Sequence, residues 1–330
     1  MERARTRIKP EKKEPPSRPT GIVCFPADTD AEPERVGPWK ETAWNGIRFE
    51  VPDSFVLERI GPRYLLLGTE AGPAVEFKWA PVKGAFSHSK LIRRLIQTYG
   101  KQPEIRIEES ALPENWKSAL KAFEVTGFVW ETASVGGKGV ILYCPDCRNA
   151  TLVQFYHHDY DCGRQPFDCM DRRVLASFQD HRRDGQIVWS VFDIRAVIPA
   201  EYALARYRFE PGRFELSFVS GSSSVTLYRW GPAAVLLSGG SLESFIERAV
   251  PLPSEKETKR VKAGANRVEF SFEESAASSR RLRLHRSRTC RVQAWHDDQS
   301  NRILCVRFEA KPSEAQAAYH AIVSRYETQS

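Results

Sequence analysis

No stretch of this 330-residue chain approaches the ~18 consecutive apolar residues of a membrane-crossing helix, so no transmembrane span is expected. Its opening stretch, MERARTRIKPEKKEPPSRP, carries charge with no apolar segment behind it. That argues against a secretory leader and makes the cytoplasm the expected location. No G-x-S-x-G, H-E-x-x-H or dinucleotide-binding fingerprint occurs, so the corresponding hydrolase, zinc-peptidase and nucleotide-cofactor chemistries have no sequence basis. Neither enzyme activity nor a cofactor is expected. An even, framework-like set of cysteines is missing as well. Cys24, Cys144, Cys147, Cys162, Cys169, Cys290 and Cys305 are odd in number and scattered, which fits free thiols better than a disulfide scaffold.

What is present suffices for real hydrophobic cores: 41% apolar residues, with 8 Trp and 18 Phe. The length suggests two domains, because single cores rarely keep growing to this size. A net charge of +7 and a pI near 9.0 favour encounter with an acidic partner. Residues 1–38, rich in Lys, Arg, Glu and Pro, read as a disordered basic tail, since they hold too little apolar surface to offset chain entropy.

From Trp44 onward the chain consists of short alternating apolar runs broken by Gly and Pro, a strand pattern. It also says several things twice. VEFKWAP at 75–81 returns as TLYRWGP at 226–232, and WNGIRFEVPDSFVL at 44–57 as WSVFDIRAVIPAEYAL at 189–204. SHSKLIRR (87–94) is answered by SLESFIER (241–248), and VILYCPDCRNATLVQFY (140–156) by VQAWHDDQSNRILCVRF (292–308). Two copies are therefore expected, 39–183 and 184–330. Each runs strands, helix, strands, helix, which predicts an α+β fold: two tandem copies of an antiparallel sheet flanked by helices. Alternation puts Val75, Phe77 and Trp79 on one face, and Thr226, Tyr228 and Trp230 on the matching face. Trp79 should then superpose on Trp230, and Leu152 on Leu304.

FEVPDSFVL (49–57), IRAVIPAEYAL (194–204) and the closing VLASF (174–178) give each copy a resemblance to the PsbP-like superfamily, which includes DcrB-like proteins. That resemblance implies binding and assembly work, with no shared catalytic residues.

Candidate chemistry is sparse. Cys144 and Cys147, in CPDC, have the spacing of half a zinc knuckle. Four points favour a plain hairpin turn carrying two thiols. The second pair, Cys162 and Cys169, is wrongly spaced. Arg148 stands where knuckles place Gly. HDDQ (296–299) fills the same place in the second copy. A strand over 150–158 would carry Cys162 away from Cys144. His157, His158 and Asp159 read as a polar strand end, and GGKG (136–139) as a turn. In RRLRLHRSRTCR (280–291), read as a strand, Arg281, Arg283 and His285 share one face.

The favoured function is a non-catalytic binding, adaptor or chaperone-like protein that uses the cleft between its two copies. Its partner would be a protein or peptide with an acidic segment, met by Trp79, Trp230, Arg281, Arg283 and His285. The alternative is a nucleic-acid-binding protein acting through the Arg-rich strand 280–291 and the basic tail.

Overall fold

Alternating apolar residues and turn-forming breaks make strands of just over half of the described residues. A computed structural model describes residues 37–99, 105–133, 135–158, 167–181, 184–253, 258–264, 266–273, 289–311 and 315–329. The expected tail, apart from Gly37 and Pro38, lies outside the described residues, as does the segment carrying Arg281, Arg283 and His285.

The first half contains β1 (Trp39–Trp44), β2 (Ile47–Pro52), β3 (Val56–Gly61), β4 (Tyr64–Thr69) and β5 (Gly72–Pro81). Then come α1 (His88–Tyr99), β6 (Arg106–Ser110), α2 (Glu114–Ala119), β7 (Glu124–Glu131), β8 (Val135–Tyr143), β9 (Asn149–His158) and α3 (Phe167–Ser177). The second half runs β10 (Gln186–Val191), β11 (Ile194–Pro199), β12 (Ala203–Glu210), β13 (Arg213–Ser220), β14 (Ser223–Trp230), α4 (Ala233–Leu236) and α5 (Leu242–Ala249). It closes with β15 (Thr258–Gly264), β16 (Arg267–Glu273), β17 (Thr289–Asp297), β18 (Arg302–Ala310), α6 (Ala315–Val323) and β19 (Glu327–Thr328).

These strands form three antiparallel sheets, and this corrects the expected α+β class. Two seven-stranded sheets have the orders β3-β4-β5-β9-β8-β7-β6 and β12-β13-β14-β18-β17-β16-β15. A third has the order β19-β11-β10-β1-β2. The first hairpin of each half leaves its own half's sheet and pairs with its counterpart, Ala43 opposite Ser190. Sheet therefore covers sheet where a helix was expected. Short helices close what remains: α1 packs its Ile92 with Phe128, Trp130 and Ile141, and α5 packs its Ile246 with Trp230 and Phe270. Residues from all three sheets share one core, including Trp44, Phe49, Phe77, Trp189, Phe218 and Val306. Arg35–Ser330 accordingly forms one compact unit. Among the described residues, no helix is long and apolar enough to cross a membrane.

The two large sheets share more than strand order. β3 and β12 each carry a bulge one residue into the ladder, at Leu57/Arg59 and Leu204/Arg206. A row of cross-strand partners then crosses each sheet: Leu57, Leu67, Val75 and Phe155 in one, Leu204, Phe218, Val225 and Phe308 in the other. Both rows line the common core. This register corrects the expected superposition. Val75 corresponds to Val225 and Trp79 to Arg229, not to Trp230. Trp79 faces the common core, whereas Tyr228 and Trp230 turn to the opposite face beneath α5. Leu152 and Leu304 likewise face opposite ways. A slip of one residue leaves the strand unchanged and inverts every side chain on it.

GGKG is also corrected, because it lies inside β8. A Cβ at Gly139 would sit 2.1 Å from Phe128 Cζ, and one at Gly137 2.0 Å from the Phe155 carbonyl oxygen. Aromatic rings and the neighbouring backbone approach this strand closely enough to require glycine.

Candidate functional site

The hairpins β1–β2 and β10–β11 meet along the seam between the halves, and each tip is anchored differently. In the first half, Trp79 Nε1 donates to the Asn45 carbonyl at 3.2 Å. In the second, Arg229, 6% exposed, pairs with the Asp193 carboxylate and lies 4.3 Å over the Phe214 ring. Arg302 Nε donates to the same Asp193 oxygen at 2.8 Å. Glu41 accepts from Arg48 within its own hairpin and from Arg195 across the seam, each at 3.1 Å. Ser190 Oγ donates to the Glu41 carbonyl at 3.0 Å.

A groove of about 260 Å³ opens along this seam, lined by Lys40, Glu41 and Thr42 of β1, Phe55–Leu57, Leu67 of β4, Ser190 and Phe192. Two large apolar side chains stand out of it: Val56 at 57% exposure and Phe192 at 44%. Phe192 occupies the turn position that Asn45 holds in the first hairpin. Its φ is +56°, a left-handed conformation that costs a bulky residue strain. Its ring packs on Phe209 and Phe214, with centroids 4.9 Å away in each case.

A second cluster lies at the β8–β9 turn. Six residues, 144–149, separate the paired Tyr143 and Ala150, whereas four, 298–301, separate Asp297 and Arg302 in the corresponding turn of the second half. The longer turn closes on itself through Arg148 N–H to the Cys144 carbonyl (2.9 Å) and Cys144 N–H to the Asn149 carbonyl (3.0 Å). Arg148 adopts φ +58°, the conformation usually left to Gly. The segment after α3 runs past this turn, tied to β2 by two 2.8 Å backbone bonds between Gln179 and Arg48. It delivers Asp180 and His181 to the thiols. Cys147 Sγ donates to Asp180 Oδ2 at 3.0 Å, His181 Nδ1 lies 2.7 Å from Asp180 Oδ1, and Cys144 Sγ lies 3.6 Å from His181 Nδ1. Burial, and after it the bond to Asp180, pushes the Cys147 thiol up to about 12, against the lowering pull of the Asn149 backbone N–H. Asp180 and His181 also line a cavity of about 190 Å³ that reaches Ile47 of β2 and Val188 of β10.

The structure thus brings together Cys144 and Cys147, and adds two neighbours that sequence reasoning missed. Asp180 and His181 are far along the chain, at no spacing that marks them; only an adjacent Asp-His pair just after a helix hinted at them. Trp79 and Trp230, expected to meet a partner, are each 5% exposed and belong to the core. Arg281, Arg283 and His285 lie outside the described residues, as do Cys162 and Asp159, and with them the side chains of Cys169 and His158. His157 Nε2 stands 3.7 Å from Asp171 Oδ2, whose residue is fully buried.

No family model matches this chain, and no curated protein matches it. Solved structures that resemble it include the following, none of them a PsbP-like or DcrB-like domain. The immunity protein TplEi of the T6SS from Pseudomonas aeruginosa, in its apo form, has a TM-score of 0.35 and 9% identity, over 88% of this chain and 97% of that one. The same protein complexed with an "L" peptide gives 0.34 and 11%, over 89% and 99%. The Tle4-Tli4 complex gives 0.33 and 10%, over 88% and 97%. At these scores the likenesses assign this chain neither a family nor a function.

Proposed function

We propose that this chain is a non-catalytic binding protein whose partner, a protein or peptide, docks in the groove at the seam between the two halves. The observation that carries this is Phe192. A bulky aromatic is held in a strained left-handed turn, nearly half exposed, beside Val56 in a groove that exists only because the halves share a sheet. Burying two such side chains against a partner supplies rigid apolar area at small entropic loss. The net charge of +7 supports encounter with an acidic surface. Free thiols at Cys144, Cys147, Cys290 and Cys305 fit a reducing compartment, and the cytoplasm is the location proposed.

Affinity capture from a lysate of the source cells, with and without nuclease, tests this using the full chain. Wild type and a Val219→Asp control should capture the same protein. A Val56→Asp/Phe192→Asp variant should lose it. Undiminished capture by the double variant would sink the groove as the docking site. Loss of capture on nuclease treatment would move the function to nucleic acid.

A further inference from the structure

The geometry points to a structural zinc site formed by Cys144, Cys147, Asp180 and His181, which clamps the segment after α3 to the β8–β9 turn. The four side chains present one ligand atom each, and all four atoms lie within 4.8 Å of one another. Zinc bond lengths in a tetrahedron set ligand atoms roughly 3.3–3.8 Å apart. The Cys144–His181 contact, at 3.6 Å, already has that spacing. The 2.7 Å and 3.0 Å contacts to Asp180 need to open by roughly half an ångström, within reach of χ adjustments.

The turn is shaped as a zinc knuckle despite its sequence. Arg148 takes the left-handed backbone for which Gly is usual. The corresponding turn of the second half has two residues fewer and no thiol. It closes through the Asp297 carboxylate, which accepts from Ser300 Oγ (2.7 Å) and the Gln299 N–H (3.2 Å). The hairpin can thus form without a metal in that half, and the first half spends two extra residues on a different arrangement. The other two ligands are equally fixed in position: Phe178, 4% exposed, anchors their segment in the core, and the Gln179–Arg48 bridge holds it alongside β2.

The donor set decides the ion. Two thiolates and an imidazole select zinc over magnesium or calcium, and four protein donors leave no open position for catalysis. Binding replaces the thiol protons of Cys144 and Cys147, so loading releases protons.

Cobalt(II) titration of the reduced full-length protein is the test, followed by competition with zinc. The expected result is one cobalt per chain, with the visible bands of a tetrahedral centre and a thiolate-to-cobalt charge-transfer band, both erased by one equivalent of zinc. Cys147→Ser and His181→Ala should weaken binding by more than the roughly 100-fold typical of losing a supporting residue. Because Cys147→Ser could disturb the turn, Asp180→Asn gives an independent check, and it should shift the visible bands. Cys162→Ser, Cys169→Ser and Cys290→Ser should leave the spectrum unchanged. Absence of a charge-transfer band would overturn the proposal. So would a spectrum indifferent to His181→Ala, loss of the band in Cys162→Ser, or a Cys144–Cys147 disulfide in protein isolated from the source cell.

Discussion

Substituting Asp193 by Asn should cost about 3 kcal/mol of stability, because Asp193 neutralises an arginine buried at the seam. Arg229 is 6% exposed and has its side chain against Phe214, with Asp193 across from it. Stripping a buried charge of its partner costs about 3–5 kcal/mol. The low end applies here, because the Asp193 side chain is 27% exposed and the Asn oxygen still accepts. Replacing the arginine as well should recover much of that loss. In the first half the corresponding position is Trp79, so the architecture accepts an apolar side chain there. Arg229→Met in the Asp193→Asn background should therefore show a favourable coupling of about 2 kcal/mol in a double-mutant cycle. The assay is equilibrium urea unfolding of the four proteins at pH 7, with m-values compared to confirm that the transition stays two-state. A single-variant cost under about 1 kcal/mol would refute burial of an ion pair. A double variant no better than the sum of its parts would mean that Asp193 acts through turn geometry and not through charge.

Two further outcomes follow from local packing and charge. Gly139→Val should destabilise by about 3 kcal/mol, since its Cβ would meet the Phe128 ring at 2.1 Å; denaturant unfolding with an unchanged midpoint would remove the stated reason for glycine in β8. Burial raises the pKa of Asp297, but hydrogen bonds from Thr328, Ser300 and Gln299 outweigh it and hold the carboxyl below its usual value. Its contribution is present above the unfolded-state pKa of about 4 and is lost as pH falls through the lower folded value. Stability measured from pH 5 down to pH 2 should therefore fall less steeply in Asp297→Asn than in wild type, and parallel curves would contradict this.

Several elements were legible from residues alone, for reasons local to the chain. The alternation in VEFKWAP marks β5, Pro52 and Pro199 end β2 and β11, and the spacing of Leu91, Ile92 and Leu95 marks α1. These signals depend on neighbours a few residues apart, so no tertiary information is needed to see them. The pairing of the halves through β1 and β10 was not legible, because an apolar hairpin carries no record of which sheet it will join. That choice depends on which large surfaces can cover one another, and here it replaced the expected helix-flanked sheets with a third sheet. Register was equally beyond the sequence. WAP and WGP match as letters, yet packing placed Trp79 and Trp230 on opposite faces, because the bulges and turns upstream, not the motif itself, count the residues. The thiol cluster shows the same division. The sequence determined two cysteines at ligand spacing, while only the folded chain, returning along β2 after α3, decided that Asp180 and His181 would stand within bonding distance of them.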